Sequence, residues 1–354
     1  PQTLNFGNVR NGTQKMDSVT VTNAGTTSLI ISSVTSSNPL FTVTPAAVST
    51  IAPGGSQKFY VSFSPLTDGL QNSFLVFNHD ASKPKDTVTL SGTGVSPMFS
   101  ANTQILNFGN VRTGTGKMDS VTITNTGTTT LNISGVTSSN AVFTATPLLG
   151  AIAPGASQKF YITFSPIVDG VQTGLVIFTD DAAKPRDTIM VTGTGISPQF
   201  SSSVQSIDFG NVRIGTSRVM SITVTNTGTD NLIINGATST NGLFGVTPLS
   251  GTIAPGATQI FFISFSPTAN GSQSGTITFN HNGSNTTDMI AVSGTGVSPM
   301  FIANTQRLDF GNVGVGTGKV LTVVVTNVGT SDLIIYGVSS SNTQFSISAT
   351  NGTL

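Results

Sequence analysis

A unit of about 101 residues recurs along this 354-residue chain, and this repetition constrains the fold more than any other feature. The tetrapeptide Phe-Gly-Asn-Val begins at Phe6, Phe108, Phe209 and Phe310. Ile-Ala-Pro-Gly, Phe-Ser-Pro and Gly-Thr-Gly each occur three times in the same order, 101 residues apart. A period of this length is too long for a propeller blade or a solenoid coil, and it matches a complete small domain.

The motif positions divide the chain into three complete copies and part of a fourth. We predict domains at residues 1–95 (with a truncated first strand), 96–196, 197–297 and 298–354, called repeats 1 to 4 below. The junctions around Pro97, Pro198 and Pro299 are short and constant in length, so we expect a fixed inter-domain angle and a rod or regular superhelix. Repeat 4 ends before its Phe-Ser-Pro strand, and we expect its own chain or another molecule to complete it.

Apolar and polar residues alternate within each copy, and this alternation is typical of half-buried strands. The segment Lys58-Phe-Tyr-Val-Ser-Phe63 points every second side chain inward, and turn pairs such as Asp68-Gly69 separate the strands. About seven strands per copy, with no helical periodicity, predict an all-β fold of tandem immunoglobulin-like antiparallel β-sandwiches joined by short rigid junctions. The predicted core contains Phe6, Phe59, Phe63 and Phe77 with their counterparts in later copies.

Charge and composition exclude several classes of function. Lys and Arg total 14 and balance 14 acidic residues, all of them Asp, so a basic surface for nucleic acid is excluded. Cys is absent, which excludes disulfides and thiolate metal sites. No apolar run reaches the ~18–20 residues of a membrane helix, so we predict no membrane span in this segment. The chain starts at Pro1 without an initiator Met, so we expect a processed chain or a piece of a longer one.

Residue types that often carry chemistry are better explained as structural here. His79 and His281 occupy the same repeat position two copies apart, so they cannot build a Ser-His-Asp site together, and we interpret them as solvated turn residues. The aspartates near the last strand lack regular calcium-loop spacing, and we interpret them as turn caps; they are Asp80, Asp86, Asp180, Asp181 and Asp187. Gly-Thr-Gly lacks the third glycine and the helix of a dinucleotide loop. We therefore predict no catalytic residue, cofactor or metal ligand.

Apolar residues also occur at positions that the alternation points away from the core. They are Tyr60, Phe74, Val76, Tyr161, Leu175, Ile177, Met190 and Phe262. An outer sheet face in contact with water normally has polar side chains, and repeat 3 has Thr276 and Thr278 at two of these positions. Either loops of the same domain cover these residues, or they form assembly contacts between chains, which the low charge would favour.

The ordered motifs resemble one particular family of repeats. Leu-x-Phe-Gly-Asn-Val-x-x-Gly, Val-Thr-Val-Thr-Asn-x-Gly, Ile-Ala-Pro-Gly, Phe-Ser-Pro and Ser-Gly-Thr-Gly look like the choice-of-anchor D type repeat along the whole chain. That repeat belongs to a broader group of Ig-like domains similar to those of Hydin, abnormal-spindle and major sperm proteins. The resemblance implies a long secreted or surface-anchored bacterial array with no shared catalytic residues, and the absence of Glu favours this bacterial branch.

These observations together predict a structural extracellular or cell-surface protein that is not an enzyme. It would form a stalk, surface fibre or filament by self-association, without nucleic acid. The alternative is an adhesin-type module that recognises a glycan or protein through loops at the sandwich ends. Near-identical turns in all copies favour the scaffold. Glycosylation sequons occur at Asn11, Asn132, Asn270, Asn282, Asn285 and Asn351, and their use depends on the host.

Overall fold

The computed structural model describes residues 2–354, and this part of the chain is all-β without a helix. In each complete repeat a five-stranded sheet packs against a smaller sheet of three or four strands. The predicted fold class, tandem Ig-like β-sandwiches, is confirmed.

Repeat 1 contains eight strands. They are β1 (Thr3–Arg10), β2 (Lys15–Thr22), β3 (Leu29–Ser36), β4 (Phe41–Thr44), β5 (Ser49–Ile51), β6 (Ser56–Phe63), β7 (Gly69–His79) and β8 (Lys85–Val95). The large sheet has the order β1-β8-β7-β3-β5 and the small sheet β2-β6-β4. The count exceeds the expected seven because β5 is a three-residue edge strand.

Repeats 2 and 3 share this topology and add one short strand at the start. Repeat 2 contains β9 (Phe99–Ala101), β10 (Ile105–Arg112), β11 (Lys117–Asn125), β12 (Leu131–Ser138), β13 (Phe143–Thr146), β14 (Gly150–Ile152), β15 (Ser157–Phe164), β16 (Gly170–Asp180) and β17 (Arg186–Ile196). Repeat 3 contains β18 (Phe200–Ser202), β19 (Ser206–Arg213), β20 (Arg218–Asn226), β21 (Leu232–Ser239), β22 (Phe244–Thr247), β23 (Gly251–Ile253), β24 (Thr258–Phe265), β25 (Gly271–His281) and β26 (Thr287–Val297).

Repeat 4 is described only by short pairs of strands. These are β27 (Phe301–Ala303) with β28 (Val325–Asn327), and β29 (Ile334–Ile335) with β30 (Gly352–Thr353). Phe345 and Tyr336 are exposed there, whereas the phenylalanines of complete repeats fill a core.

Phenylalanine rings from both sheets fill the core of each complete repeat. In repeat 1, Phe41 stacks on Phe63 with ring centroids 4.5 Å apart, and Phe59 meets Phe77 edge to face at 5.1 Å. The same ring pairs recur in repeats 2 and 3. The predicted core residues Phe6, Phe59, Phe63 and Phe77 are all buried, as the period-two alternation requires.

The first long strand of a repeat lies parallel to the last one. β1 pairs with β8, and β19 with β26, in parallel, although most other pairs are antiparallel. The antiparallel pattern expected from hairpin turns fails here because these strands are far apart in sequence and no tight turn joins them. Each ladder shifts register at the Phe-Gly-Asn segment, where Gly7 and Gly210 have positive φ.

The chain forms two compact units. One unit ends at Gly195 and holds repeats 1 and 2, and the other begins at Ile196 and holds repeats 3 and 4.

Candidate functional site: the repeat junction and the exposed sheet faces

The junction between repeats 1 and 2 is anchored by Asn125, the fully buried last residue of β11. Its Nδ2 donates to the carbonyl oxygens of Thr129 (2.8 Å) and Ile152 (2.8 Å). Its Oδ1 accepts from the backbone N–H of Gly127 (2.9 Å) and of Met98 in the junction (3.2 Å). One side chain therefore holds together a turn, a neighbouring strand and the junction segment at Met98. Asn226 in repeat 3 makes the same four contacts.

The junction backbone lies directly against the Asn-x-Gly turn. The Thr128 N–H donates to the Ser96 carbonyl oxygen (2.8 Å), and the Ser96 N–H donates to Thr128 Oγ1 (3.0 Å). A Cβ at Gly127 would collide with the Ser96 carbonyl oxygen and lie 2.6 Å from the Met98 nitrogen. The glycine of this motif is therefore required by the close passage of the junction chain.

Asp68, in the loop between β6 and β7, links the two repeats through its carboxylate. Its Oδ1 accepts from Asn11 Nδ2 (2.6 Å) and Ser96 Oγ (2.7 Å), and its Oδ2 accepts from Thr128 Oγ1 in repeat 2 (2.7 Å). Burial on its own would raise the pKa of Asp68, but hydrogen bonds from Thr128, Ser96 and Asn11 outweigh it and hold this pKa below the usual aspartate value. The junction therefore favours the ionised carboxylate.

We expect the Asp68 contacts to weaken in acid. A pKa lowered by folding means that the carboxylate stabilises the junction above pH 3.8, the ordinary aspartate value, and that this contribution is lost as pH falls through the folded-state pKa. Asp68→Asn should weaken the junction by roughly 1 kcal/mol after discounting for solvent, and should speed exchange of the Ser96 and Thr128 amides about fivefold. Protection factors from hydrogen exchange, which remove the intrinsic pH dependence of amide exchange, measure both effects between neutral pH and pH 3.

An exposed aspartate remote from the junction provides the matched control for this experiment. Asp17 lies on β2, and its Oδ1 accepts from the adjacent Ser18 N–H. Asp17→Asn should leave exchange at the junction unchanged. Equal exchange rates in wild type and Asp68→Asn at neutral pH would contradict the role of Asp68.

An ion pair adds a second contact between repeats 1 and 2. Arg10 Nη1 lies 2.8 Å from Asp181 Oδ2, and both side chains are partly exposed. Burial would raise the pKa of Asp181, but hydrogen bonds from Arg10 and Asn132 lower it below the usual value. Partly exposed pairs of this kind contribute about 0–1 kcal/mol each, so this pair orients the repeats more than it stabilises them.

The large sheet carries an apolar row on its outer face in repeat 2. Met190 (48% exposed) lies opposite Leu175 (40%) on the neighbouring strand, and Ile105 (56%) lies on β10, the strand beyond Met190. Ile177, two residues along β16, is half-buried. Loops of the same domain therefore leave this row accessible to solvent.

The corresponding rows differ between repeats. In repeat 1, Phe74 is 56% exposed opposite Thr89, and Val76 is half-buried opposite Thr87. In repeat 3, Thr276 lies opposite Ala291. Exposed Met289 (59%) lies opposite Thr278 in repeat 3, so what distinguishes repeat 2 among the complete repeats is that two large apolar residues, Leu175 and Met190, face each other there.

The small sheet presents one exposed aromatic side chain in each complete repeat. Tyr60, Tyr161 and Phe262 each lie between a serine and a threonine on the neighbouring strands. All three are exposed. They lie on the face opposite to Phe74 and Leu175, because the two sheets have separate outer surfaces.

The histidine and aspartate positions are more buried than the sequence suggests. His281 is buried, stacks on Phe200 (5.1 Å between centroids) and places Nε2 2.9 Å from Asp288 Oδ2. The interpretation of His281 as a solvated turn residue is therefore wrong, because β18 brings Phe200 over it. His79 Nε2 lies 3.2 Å from Asp86 Oδ2.

Repeat 2 has two carboxylates in place of this His–Asp pair. Asp180 is buried, and its Oδ2 has no hydrogen-bond partner among the described residues. Burial and the nearby charges of Asp187 and Asp181 raise the pKa of Asp180. Asp181 and Asp80 accept from the backbone N–H groups of Asn132 and Ile30. These donors lie on strands 49 and 50 residues away, so the two aspartates tie their loop to a neighbouring strand and do not cap their own turn as the sequence suggested.

Neither a metal centre nor a membrane helix is found in the described residues. Across residues 2–354, no group of three or more His, Cys, Asp or Glu side chains is placed to hold a metal ion. The same residues contain no helix able to cross a membrane.

A model of one protein family matches each complete repeat. The family is the HYDIN/CFA65/VesB-like Ig-like domain, and it matches residues 1–93, 97–194 and 198–295. The chain belongs to this family. It is therefore a tandem array of HYDIN/CFA65/VesB-like Ig-like domains, and the resemblance to the broader Hydin-like group is confirmed.

Individual relatives share this domain type at low identity. The human hydrocephalus-inducing protein homolog is 27% identical over 191 residues, covering 53% of this chain and 4% of the relative. The chain thus matches only a small part of the length of that curated relative. A crystal structure of a protein of unknown function from Porphyromonas gingivalis W83 is 15% identical with a TM-score of 0.26, covering 56% of this chain and 99% of the other. PapD-like domain 7 of human CEP192 is 18% identical with a TM-score of 0.26, covering 28% and 86%.

Two residues that hold the junction of these HYDIN/CFA65/VesB-like domains, Asn125 and Asp68, were missed by sequence reasoning. Asn125 and Asp68 read only as turn residues because their partners are distant along the chain: Asn125 binds Ile152, and Asp68 binds Thr128. The signal available was that Asn-x-Gly occurs at the same position in all four repeats, at Asn23, Asn125, Asn226 and Asn327.

Proposed function

We propose that this array of Ig-like domains is a non-catalytic structural element of a stalk, surface fibre or filament. The observation that carries the proposal is the exposed apolar row on the outer face of the large sheet in repeat 2, a domain that also contacts repeat 1 through Asp68 and Arg10. Repetition would set the length, the junctions would hold neighbouring domains, and the exposed side chains would join chains laterally.

The junction contacts support a mechanical role. Asp68 and Arg10 connect repeats 1 and 2 through hydrogen bonds and an ion pair, and Asn125 holds the junction residue Met98 in place, without a Gly/Ser linker. A flexible tether would need a longer polar segment. The same local contacts of Ser298 and Met300 with Thr330 and Asn327 recur at the junction of repeats 3 and 4.

The outer faces support self-association. Covering one large apolar side chain contributes about 1.5–3 kcal/mol, and repeated weak contacts along an array add through multivalency. The assembly contacts we propose are Tyr60, Phe74, Val76, Tyr161, Leu175, Ile177, Met190 and Phe262. The zero net charge leaves little repulsion between copies.

We assign the array to the secreted bacterial choice-of-anchor D branch, located outside the cell or on its surface. Support comes from the complete absence of Glu and the charged fraction of only 8%. Glycosylation at exposed sequons such as Asn285 fits that location.

Replacing the row in repeat 2 with the residues of repeat 3 tests this proposal. We expect Leu175→Thr with Ile177→Thr and Met190→Ala to reduce lateral assembly at least about tenfold, because apolar burial between chains is lost. Repeat 3 carries these residues on the same fold, so the variant should remain folded. Sedimentation velocity and electron microscopy of the purified chain provide the measurement.

Substitutions of neighbouring polar residues form the control. Thr137→Ser with Thr188→Ser changes the same outer face without removing the apolar row. A wild-type chain that stays monomeric at high concentration, or a repeat 2 variant that assembles as well as wild type, would overturn the proposal.

Recognition of a glycan or protein through the sandwich-end loops is the second candidate. The loop between β6 and β7 exposes Leu66, with exposed Leu70 at the start of β7, and the matching loop of repeat 2 exposes Ile167 and Val168. Apolar loop tips of this kind suit a binding surface. In the same experiment, a chain that never assembles but binds a surface glycan would favour this candidate.

A further inference from the structure

One turn in repeat 3 differs chemically from its counterparts. Repeats 1 and 2 have Asp68-Gly69 and Asp169-Gly170 between two strands, whereas repeat 3 has Asn270-Gly271. The glycines keep the same backbone geometry, with φ of 114°, 103° and 111°. An amide thus occupies a turn that is built with a carboxylate elsewhere in the chain.

Asn270 is exposed and its side chain is only loosely held. Its Oδ1 has one weak contact, with Thr330 Oγ1 at 3.4 Å in repeat 4. In repeat 1 the corresponding contact, from Thr128 Oγ1 to Asp68 Oδ2, is 2.7 Å long. Charge-assisted hydrogen bonds are shorter and roughly twice as strong as neutral ones.

Two of the other Asn-Gly pairs of this chain, at Asn241 and Asn282, have restrained side chains. Asn241 accepts from the Leu243 N–H at 3.1 Å and donates to the Ser274 carbonyl oxygen at 3.0 Å. Asn282 accepts from the Ile233 N–H at 2.8 Å and donates to the Asn231 carbonyl oxygen. These bonds hold each side-chain amide in place and so slow the attack of the following backbone nitrogen on it, which is the first step of asparagine deamidation. The two sites therefore serve as internal references.

Asn270 and Gly271 are well suited to intramolecular cyclisation. The Gly271 backbone nitrogen attacks Asn270 Cγ, ammonia leaves, and a five-membered succinimide forms. Water then opens the ring. Attack at Cγ restores the normal backbone with an aspartate side chain, and attack at the backbone carbonyl carbon gives isoaspartate. Glycine has no Cβ to hinder the first step, and asparagine is a known labile residue in proteins.

We propose that Asn270 is a spontaneous deamidation site whose aspartate product gives the junction of repeats 3 and 4 the carboxylate hydrogen bond that Asp68 makes between repeats 1 and 2. Ser298 and Thr330 stand where Ser96 and Thr128 stand in the earlier junction, so two hydroxyl donors are available. Ile214 replaces Asn11, so the third donor is absent. The junction would therefore tighten as the protein ages.

Mass spectrometry of the full chain aged at mildly alkaline pH tests the proposed deamidation of Asn270. We expect the peptide containing Asn270 to convert at least severalfold faster than those containing Asn241 and Asn282, with aspartate among the products. Conversion of Asn270 no faster than Asn241, or conversion to isoaspartate alone, would overturn the proposal.

Hydrogen exchange of the Asn270→Asp variant, which has the deamidation product in its sequence, tests the proposed tightening of the junction. Asn270→Asp should slow exchange of the Ser298 and Thr330 amides, whereas Asn270→Ser, which has no carboxylate, should not. The Asp variant should fold because repeats 1 and 2 carry aspartate in this turn. Unchanged exchange in Asn270→Asp would overturn the proposed tightening.

Discussion

Asn125→Ala should destabilise repeat 2 by about 3 kcal/mol or more, since each buried group left without a partner costs about 1–3 kcal/mol. The substitution removes the partner of the Thr129 and Ile152 carbonyl oxygens and of the Gly127 and Met98 amides. Three of these groups belong to the sandwich, and Met98 belongs to the junction. Calorimetry should show an earlier transition, and hydrogen exchange should show loss of protection at Met98.

Asn110→Ala provides the matched control for this effect. Asn110 lies on β10 of the same repeat, and its side chain is exposed. Its removal should change stability by less than about 0.5 kcal/mol, as is usual at surface positions. If Asn125→Ala and Asn110→Ala unfold at the same temperature, the buried asparagine is not the anchor of the junction.

Gly195→Ala should destabilise repeat 2 by about 3 kcal/mol, the upper end for an overpacked site. A Cβ there would collide with the Val168 carbonyl oxygen and approach Pro166 Cβ to 3.0 Å. Backbone atoms cannot move aside as a flexible side chain can, so the loop that joins β15 of the small sheet to β16 of the large sheet must shift. Denaturant unfolding, followed by circular dichroism, would report the loss.

A second glycine of repeat 2 separates this steric effect from the general effect of replacing glycine. Gly174 corresponds to Ser73 in repeat 1, and a Cβ there would lie 3.1 Å from Asn140 Cβ. Gly174→Ser should cost less than about 1 kcal/mol, as is usual for a substitution that the fold already accommodates. If the two variants lose the same free energy of unfolding, the close approach of the Val168 carbonyl oxygen is not the reason that position 195 requires glycine.

The sequence determined the fold class because strand faces are encoded locally. The alternation in Lys58-Phe-Tyr-Val-Ser-Phe63 predicts Phe59 and Phe63 as core and Tyr60 as exposed, and the structure places them so. Glycines at turns such as Asp68-Gly69 were also predictable, because only glycine readily adopts the positive φ found there.

Only the tertiary structure decided what the shared motifs do. The Gly-Thr-Gly motif reads as the end of a strand, yet a Cβ at Gly193 would lie 2.5 Å from the Phe164 ring of the Phe-Ser-Pro motif. Asn125 and Asp68 likewise read as turn residues, and their partners lie 27 and 60 residues away. Periodicity records which face a side chain occupies, whereas the pairing and packing of strands distant in sequence decide which side chains meet.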